Sequence, residues 1–235
     1  MFFVHTWLTV AHVEAPTVGS IILASLLLKL GGYGLIRFVF MLLPSVGCTD
    51  GLFLIPVALL GFTYATMSAI RQLDLKRFIA YTSIAHMNFS VSGLLVCTKV
   101  SYLAAVHSMF SHGLIAAVLF GLVGALYDRH HVRNVFYYSG LALIVPEWAV
   151  MFFIAMLANS GFPFFSGFPG EMLTLLGLFT YSARLGLFSS IGFVLSVAYA
   201  FVVCTRILFG SSSAFQKDSI DLTKNEFVVF FHLMS

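Results

Sequence analysis

The chain has 235 residues, 60% of them hydrophobic and only 9% charged, with a mean hydropathy of +1.01 and a formal net charge of +3. A soluble domain carries about a quarter charged residues, so this chain has too little polar surface to cover a globule in water. The small, dispersed positive charge gives no basis for nucleic-acid binding, and the chain reads as a membrane protein.

Hydrophobic sequence begins at once, without an Arg- and Ser-rich presequence or a short cleavable signal, so insertion without processing is expected. Apolar runs of about 20 residues, enough to cross a bilayer core, then recur along the chain. The first is expected from about Pro16, a residue suited to a helix start, to about Leu43. The second runs from about Leu52 to Leu73, and the third from about Lys76 to Cys97, after Arg71-Gln72-Leu73-Asp74. The fourth, about Tyr102 to Tyr127, is closed by Asp128-Arg129-His130-His131. The fifth begins near Pro146 and is interrupted at Asn159-Ser160-Gly161-Phe162-Pro163 and again at Gly167-Phe168-Pro169-Gly170, before resuming to about Tyr181. The sixth covers about Arg184 to Phe209. A polar segment, Ser211 to Glu226, leads to an apolar tail ending at Ser235 that is too short to span. The fold class is therefore all-α: a polytopic membrane protein of about six transmembrane helices, one of them broken.

Positive charge orients the bundle. With the first crossing starting on side A, eight cations lie at or near that side (Arg71, Lys76, Arg77, Arg129, Arg133, Arg206, Lys217 and Lys224). Side B has three, Arg37, Lys99 and Arg184, so side A faces the matrix or cytoplasm. The broken fifth span is expected to be buried or to line a wet cavity, because freed backbone groups facing lipid cost several kcal/mol each. An ordinary proline kink is the alternative.

Four ionisable residues fall deep in these spans: Lys29 in the first, His86 in the third, His112 in the fourth, and Glu171 just after the second break of the fifth. A charge at the bilayer centre costs about 3 kcal/mol on insertion scales, and such residues face a bundle interior and often mark an ion or proton path. Lysine, histidine and glutamate in a row, joined by water, suit protons better than other cargo. Each also has a structural reading. In that reading a backbone carbonyl holds Lys29, an interhelix hydrogen bond each histidine, and the dipole of the resumed helix Glu171. His107 and His112 are five apart rather than four, which argues against zinc; His130 and His131 are expected in a solvated loop. Gly31-Gly32-Tyr33-Gly34 is expected to permit close helix packing. Cys48, Cys97 and Cys204, far apart and odd in number, form no disulfide framework or metal site and are expected to act as small apolar side chains in helices.

The segments His5-Thr6-Trp7-Leu8 and Ala11-His12-Val13-Glu14-Ala15-Pro16-Thr17 resemble those of the subunit 4 family of mitochondrial NADH:ubiquinone oxidoreductase (respiratory complex I). So do Leu28-Lys29-Leu30-Gly31-Gly32-Tyr33-Gly34, Gln72-Leu73-Asp74-Leu75-Lys76, Ile79-Ala80-Tyr81-Thr82-Ser83-Ile84-Ala85-His86-Met87, Ser111-His112-Gly113-Leu114, Leu126-Tyr127-Asp128-Arg129 and Gly170-Glu171. The likeness covers nearly the whole chain in order. It implies an antiporter-like fold built from two inverted repeats, each with a broken helix. Lys29 is then the central lysine, His86 and His112 the connecting histidines, and Glu171 the acidic end residue of the half-channel toward the intermembrane space. By the same resemblance, residues 1–15 end a preceding broken helix or loop, residues 16–209 form the second half of the bundle, and residues 210–235 are a polar segment and short tail. FMN, iron–sulfur clusters and ubiquinone are then bound by other subunits, with no cofactor in this chain. Its partners are membrane lipid and other membrane-arm subunits of the mitochondrial inner membrane.

The sequence departs from that family in places. Thr9 stands where the family usually has proline, and the final helix is expected to be truncated after Asn225-Glu226-Phe227. The glutamate and lysine of the first half-channel would precede residue 1. Either a separate polypeptide supplies the amino-terminal half, or the subunit is reduced and no longer transports. Retention of Lys29, His86, His112 and Glu171 favours the split. The alternatives from other classes are a free-standing Mrp-type cation/proton antiporter and a structural, non-pumping membrane subunit.

Overall fold

The computed structural model describes residues 5–42, 51–211 and 221–234. Over these the chain is a helical bundle: α1 (Thr6–Glu14), α2 (Thr17–Val39), α3 (Gly51–Ile70), α4 (Leu75–Leu95), α5 (Lys99–His130), α6 (Pro146–Asn159), α7 (Gly167–Tyr181), α8 (Ala183–Leu208) and α9 (Lys224–Met234). Among the described residues, α2, α3, α5 and α8 are long and apolar enough to cross a membrane. The α4 helix has 21 residues but falls short on hydropathy because it carries Thr82, Ser83, His86, Asn88, Ser90 and Ser92. Eighteen of its residues are buried, which makes α4 the central helix: its polar side chains face protein rather than lipid, and Thr82, His86, Ser90 and Ser92 find hydrogen-bond partners there.

Contacts at the two ends show that successive passes alternate in direction. At side A, the loop after α3 meets the loop after α5, with Leu75 N–H donating to Arg133 O (3.1 Å) and Val135 N–H to Leu73 O (2.8 Å). Gly140 N–H reaches Phe209 O, at the end of α8 (3.3 Å). At side B, the first residue of α3, Gly51, lies against Leu95 O at the end of α4.

Several boundaries differ from the expectation. The second span ends at Ile70, since Arg71 and Gln72 form a turn and Leu73 joins the backbone pairing with Val135. Cys97 lies outside the helix, in the left-handed region (φ 59°) and exposed, whereas Cys204 is a buried helical thiol; Cys48 lies outside the described residues. Asp128, Arg129 and His130 continue α5, and left-handed His131 ends it. His130 is accordingly half-buried against Tyr138 (ring centroids 5.8 Å apart), and only His131 is exposed. Gly167-Phe168-Pro169-Gly170 is not a second interruption. It forms the first turn of α7, where a proline removes no helical hydrogen bond. Of the glycines near Lys29, Gly32 packs on Met109, whereas Gly31 and Gly34 have no neighbour within 4 Å of an added Cβ. Residue 43, Lys217 with the polar stretch 212–220, and Ser235 lie outside the described residues.

Candidate functional site

The α2 helix is not a regular α-helix around its lysine. Wider π-helical turns at Leu23–Leu27 and Leu35–Val39 bracket the α-helical stretch Leu28–Gly34, and such turns recur at functional sites. Lys29 Nζ turns back along α2 and donates to Ala24 O at 2.6 Å. It also lies 3.0 Å from His112 Nδ1 on α5. Gly113 makes that approach possible: an added Cβ there would lie 3.2 Å from Ser25 O and 3.3 Å from Lys29 Cε.

From His112 the contacts pass to α4. The His112 and His86 rings are 5.3 Å apart between centroids. His86 Nδ1 then lies 2.9 Å from Glu171 Oε1 on α7. Both histidines and Glu171 are buried. The four sequence-expected residues therefore form one connected run across four helices, in the order Lys29, His112, His86, Glu171. Sequence order places His86 before His112. Packing reverses them because α5, not α4, lies against the lysine.

The structure supplies members that the sequence did not flag. Tyr199 on α8, fully buried, places its hydroxyl 3.2 Å from His86 Nε2 and accepts from Asn159 Nδ2 at 3.2 Å. A tyrosine in an apolar helix reads as an ordinary core aromatic, and Asn159 reads only as part of a helix break. The break itself lines the site. Ala158, Asn159 and Gly167 join His86, Ser111, His112, Ile115 and Glu171 around a void of about 10 Å³, room for about one water. The cavity reading of the broken span fits this geometry. On the other side of the break, His107 Nε2 meets Ser166 O at 2.8 Å and fixes the connecting loop to α5. Glu171 is the fifth residue of α7, and its carboxylate faces His86 rather than capping its own helix.

The hydrogen-bond roles follow from donor chemistry. When Lys29 is an ammonium it donates to His112 Nδ1, so that nitrogen accepts and the ring proton sits on Nε2. His112 Nε2 is buried with no protein partner, and His112 borders the void shared with His86 and Glu171. In a low-dielectric interior, two positive charges 3.0 Å apart repel strongly, so a proton on Lys29 and an added proton on His112 exclude one another. Among the described residues no three His, Cys, Asp or Glu side chains are grouped to hold a metal ion.

The chain as a whole resembles known proteins. The family model described as NADH:quinone oxidoreductase/Mrp antiporter, transmembrane, matches residues 1–197. The NADH-quinone oxidoreductase subunit M of Rhodobacter capsulatus is 40% identical over 236 residues, covering 100% of this chain and 46% of that protein. The NADH-ubiquinone oxidoreductase chain 4 of Chondrus crispus is 40% identical over 234 residues, covering 97% and 47%. The chain thus spans about half the length of the curated relatives it matches. In the structure of respiratory complex I from Thermus thermophilus with bound NADH, one chain superposes with a TM-score of 0.91 at 28% identity, covering 99% of this chain and 50% of its own length. A chain of the Mrp complex from Dietzia sp. shares the fold (TM-score 0.84, 89% of this chain, 39% of that one) at 19% identity.

Proposed function

The chain belongs to the NADH:quinone oxidoreductase/Mrp antiporter transmembrane family, and on that premise we propose that it is the carboxy-terminal half of a proton-translocating membrane subunit of NADH:ubiquinone oxidoreductase. The observation that carries this reading is the run from half-buried Lys29 through buried His112, His86 and Glu171, in which each member lies within contact of the next. A proton leaving the lysine ammonium is taken by His112 Nδ1, while the proton on Nε2 departs toward the void beside His86 and Glu171. An imidazole passes a proton in this way without ever holding a lasting second charge. His86 is poised for the next step. In its neutral form it donates from Nδ1 to Glu171 and accepts at Nε2 from Tyr199, whose oxygen in turn accepts from Asn159.

Electron transfer takes place in other subunits, which hold FMN, iron–sulfur clusters and ubiquinone. Their redox steps act here by changing the charge on neighbouring members of the run. The assembly resides in the mitochondrial inner membrane. The quinone-linked reading is preferred to the Mrp-type antiporter because the relatives near 40% identity bear NADH oxidoreductase names, whereas the Mrp likeness extends to the fold alone.

Native electrophoresis of mildly solubilised membranes, with in-gel NADH dehydrogenase staining and mass spectrometry of the stained band, tests the assignment. The chain is expected in the stained band. Migration elsewhere, with sodium-dependent transport independent of NADH, would establish the antiporter instead.

A further inference from the structure

Outside the run, one buried titratable side chain has no role yet. His12, on α1, is fully buried, and both of its ring nitrogens lack a partner. Its ring stacks on Phe120 of α5, with centroids 4.7 Å apart and planes 10° from parallel. A phenylalanine would fill that stacked position without burying two unmet polar atoms, so packing alone does not account for an imidazole here.

Its neighbours locate it between side A and the lysine. The His12 carbonyl accepts from Ser20 Oγ at 3.0 Å. One turn further along α2, about 6 Å by helix rise, Ala24 O holds Lys29 Nζ at 2.6 Å. Along α5, Phe120 lies eight residues on the side-A side of His112, about 12 Å. Toward side A, Lys76 Nζ donates to Ala15 O at 3.1 Å, and Arg133 Nη1 donates to Val13 O at 2.9 Å. The Val13 and Ala15 carbonyls are therefore occupied by side-A cations, while the His12 ring lies against Phe120 at a level between them and Lys29.

We propose that His12 is a proton relay that loads Lys29 from side A. One imidazole nitrogen takes a proton from a water on the side-A approach as the other releases its proton, through water, to the neutral lysine amine. One proton enters and one leaves, so the ring is neutral before and after, as suits a site near the Lys76 and Lys29 cations. This inference rests on the proton-path reading above and extends it one residue toward the side from which protons are drawn.

The test is proton translocation per electron transferred, in sealed membrane vesicles containing the intact assembly, for His12→Phe, His12→Gln and, as a reference, Lys29→Ala. The phenylalanine keeps the stack on Phe120, and the glutamine keeps a polar, water-binding side chain; neither relays protons. Both are expected to lower translocation at least fivefold at equal amounts of assembled complex, and if one fails to assemble, the other decides. Normal yield in a His12 variant with loss in Lys29→Ala would overturn the relay and leave the path standing. Normal yield in all three would overturn the path as well.

Discussion

At the level of single residues, the network around His86 depends on the Tyr199 hydroxyl as much as on the charged members, because it is the partner of both His86 Nε2 and Asn159 Nδ2. Tyr199→Phe removes that oxygen while keeping the ring that packs edge-on against Phe78. A buried hydrogen bond contributes about 0.5–1.5 kcal/mol net, so translocation should fall about two- to tenfold with the complex still assembled. Translocation at the unaltered rate would reduce the hydroxyl to a space-filling role. The reason Lys29, His86, His112 and Glu171 were legible from sequence is that ionisable groups are costly in apolar helices and stand out there. Tyr199 was not legible, because aromatic residues are ordinary in such helices. The order of the two histidines was not legible either. Sequence carries no signal that α5 lies between α2 and α4 at this level, whereas the close approach at Gly113 decides it.

At the level of elements, the break between α6 and α7 is held at defined points. Gly161, in the left-handed region at φ +71°, lets the loop pass so near the carboxylate that an added Cβ would collide with Glu171 Oε2. Gly161→Ala combines that collision with a strained backbone costing about 1 kcal/mol, and should move the carboxylate off its 2.9 Å contact with His86 and depress translocation. A structure of the variant with the contact intact would contradict this. The start of α6 depends on a distant residue: Asp221 accepts from the backbone N–H groups of Glu147 (3.0 Å) and Trp148 (3.1 Å). Asp221→Ala should lower the local stability of α6 by about 1 kcal/mol, read as faster hydrogen exchange at those two amides; unchanged exchange would rule out the cap. Helix breaks were visible in the Gly and Pro pattern, but their extent was not, since Pro169 at the start of a helix looks the same in sequence as a proline that ends one. The π-helical turns around Lys29 left no sequence signal at all.

At the level of the whole molecule, α4 is the polar axis and the lipid-length helices α2, α3, α5 and α8 surround it together with the broken pair. At side A the short α9 docks through Arg129 Nη2 and Glu226 Oε2, 2.8 Å apart. Partial burial alone would raise the Glu226 carboxyl, but hydrogen bonds from Thr223 and the Arg129 charge outweigh it and hold it below the ordinary glutamate value. A depressed value means that the stabilisation is present above the unfolded-state pKa, about 4.3, and is lost as pH falls through the folded one. With Glu226 more than a third exposed, that contribution is at most about 0.5 kcal/mol. Protection of α9 amides should therefore drop slightly on acidification in the unaltered chain and not in Glu226→Gln; an equal drop in both would assign the effect elsewhere. The pass count and its alternation were legible because apolar length and cation placement obey the bilayer's dimensions and charge bias. Proton conduction along the run from Lys29 to Glu171 is read out by protons translocated per electron in sealed vesicles carrying Lys29→Ala, normalised to assembled complex. Assembly with translocation severely reduced is expected. An assembled complex that translocates at the unaltered ratio would contradict it.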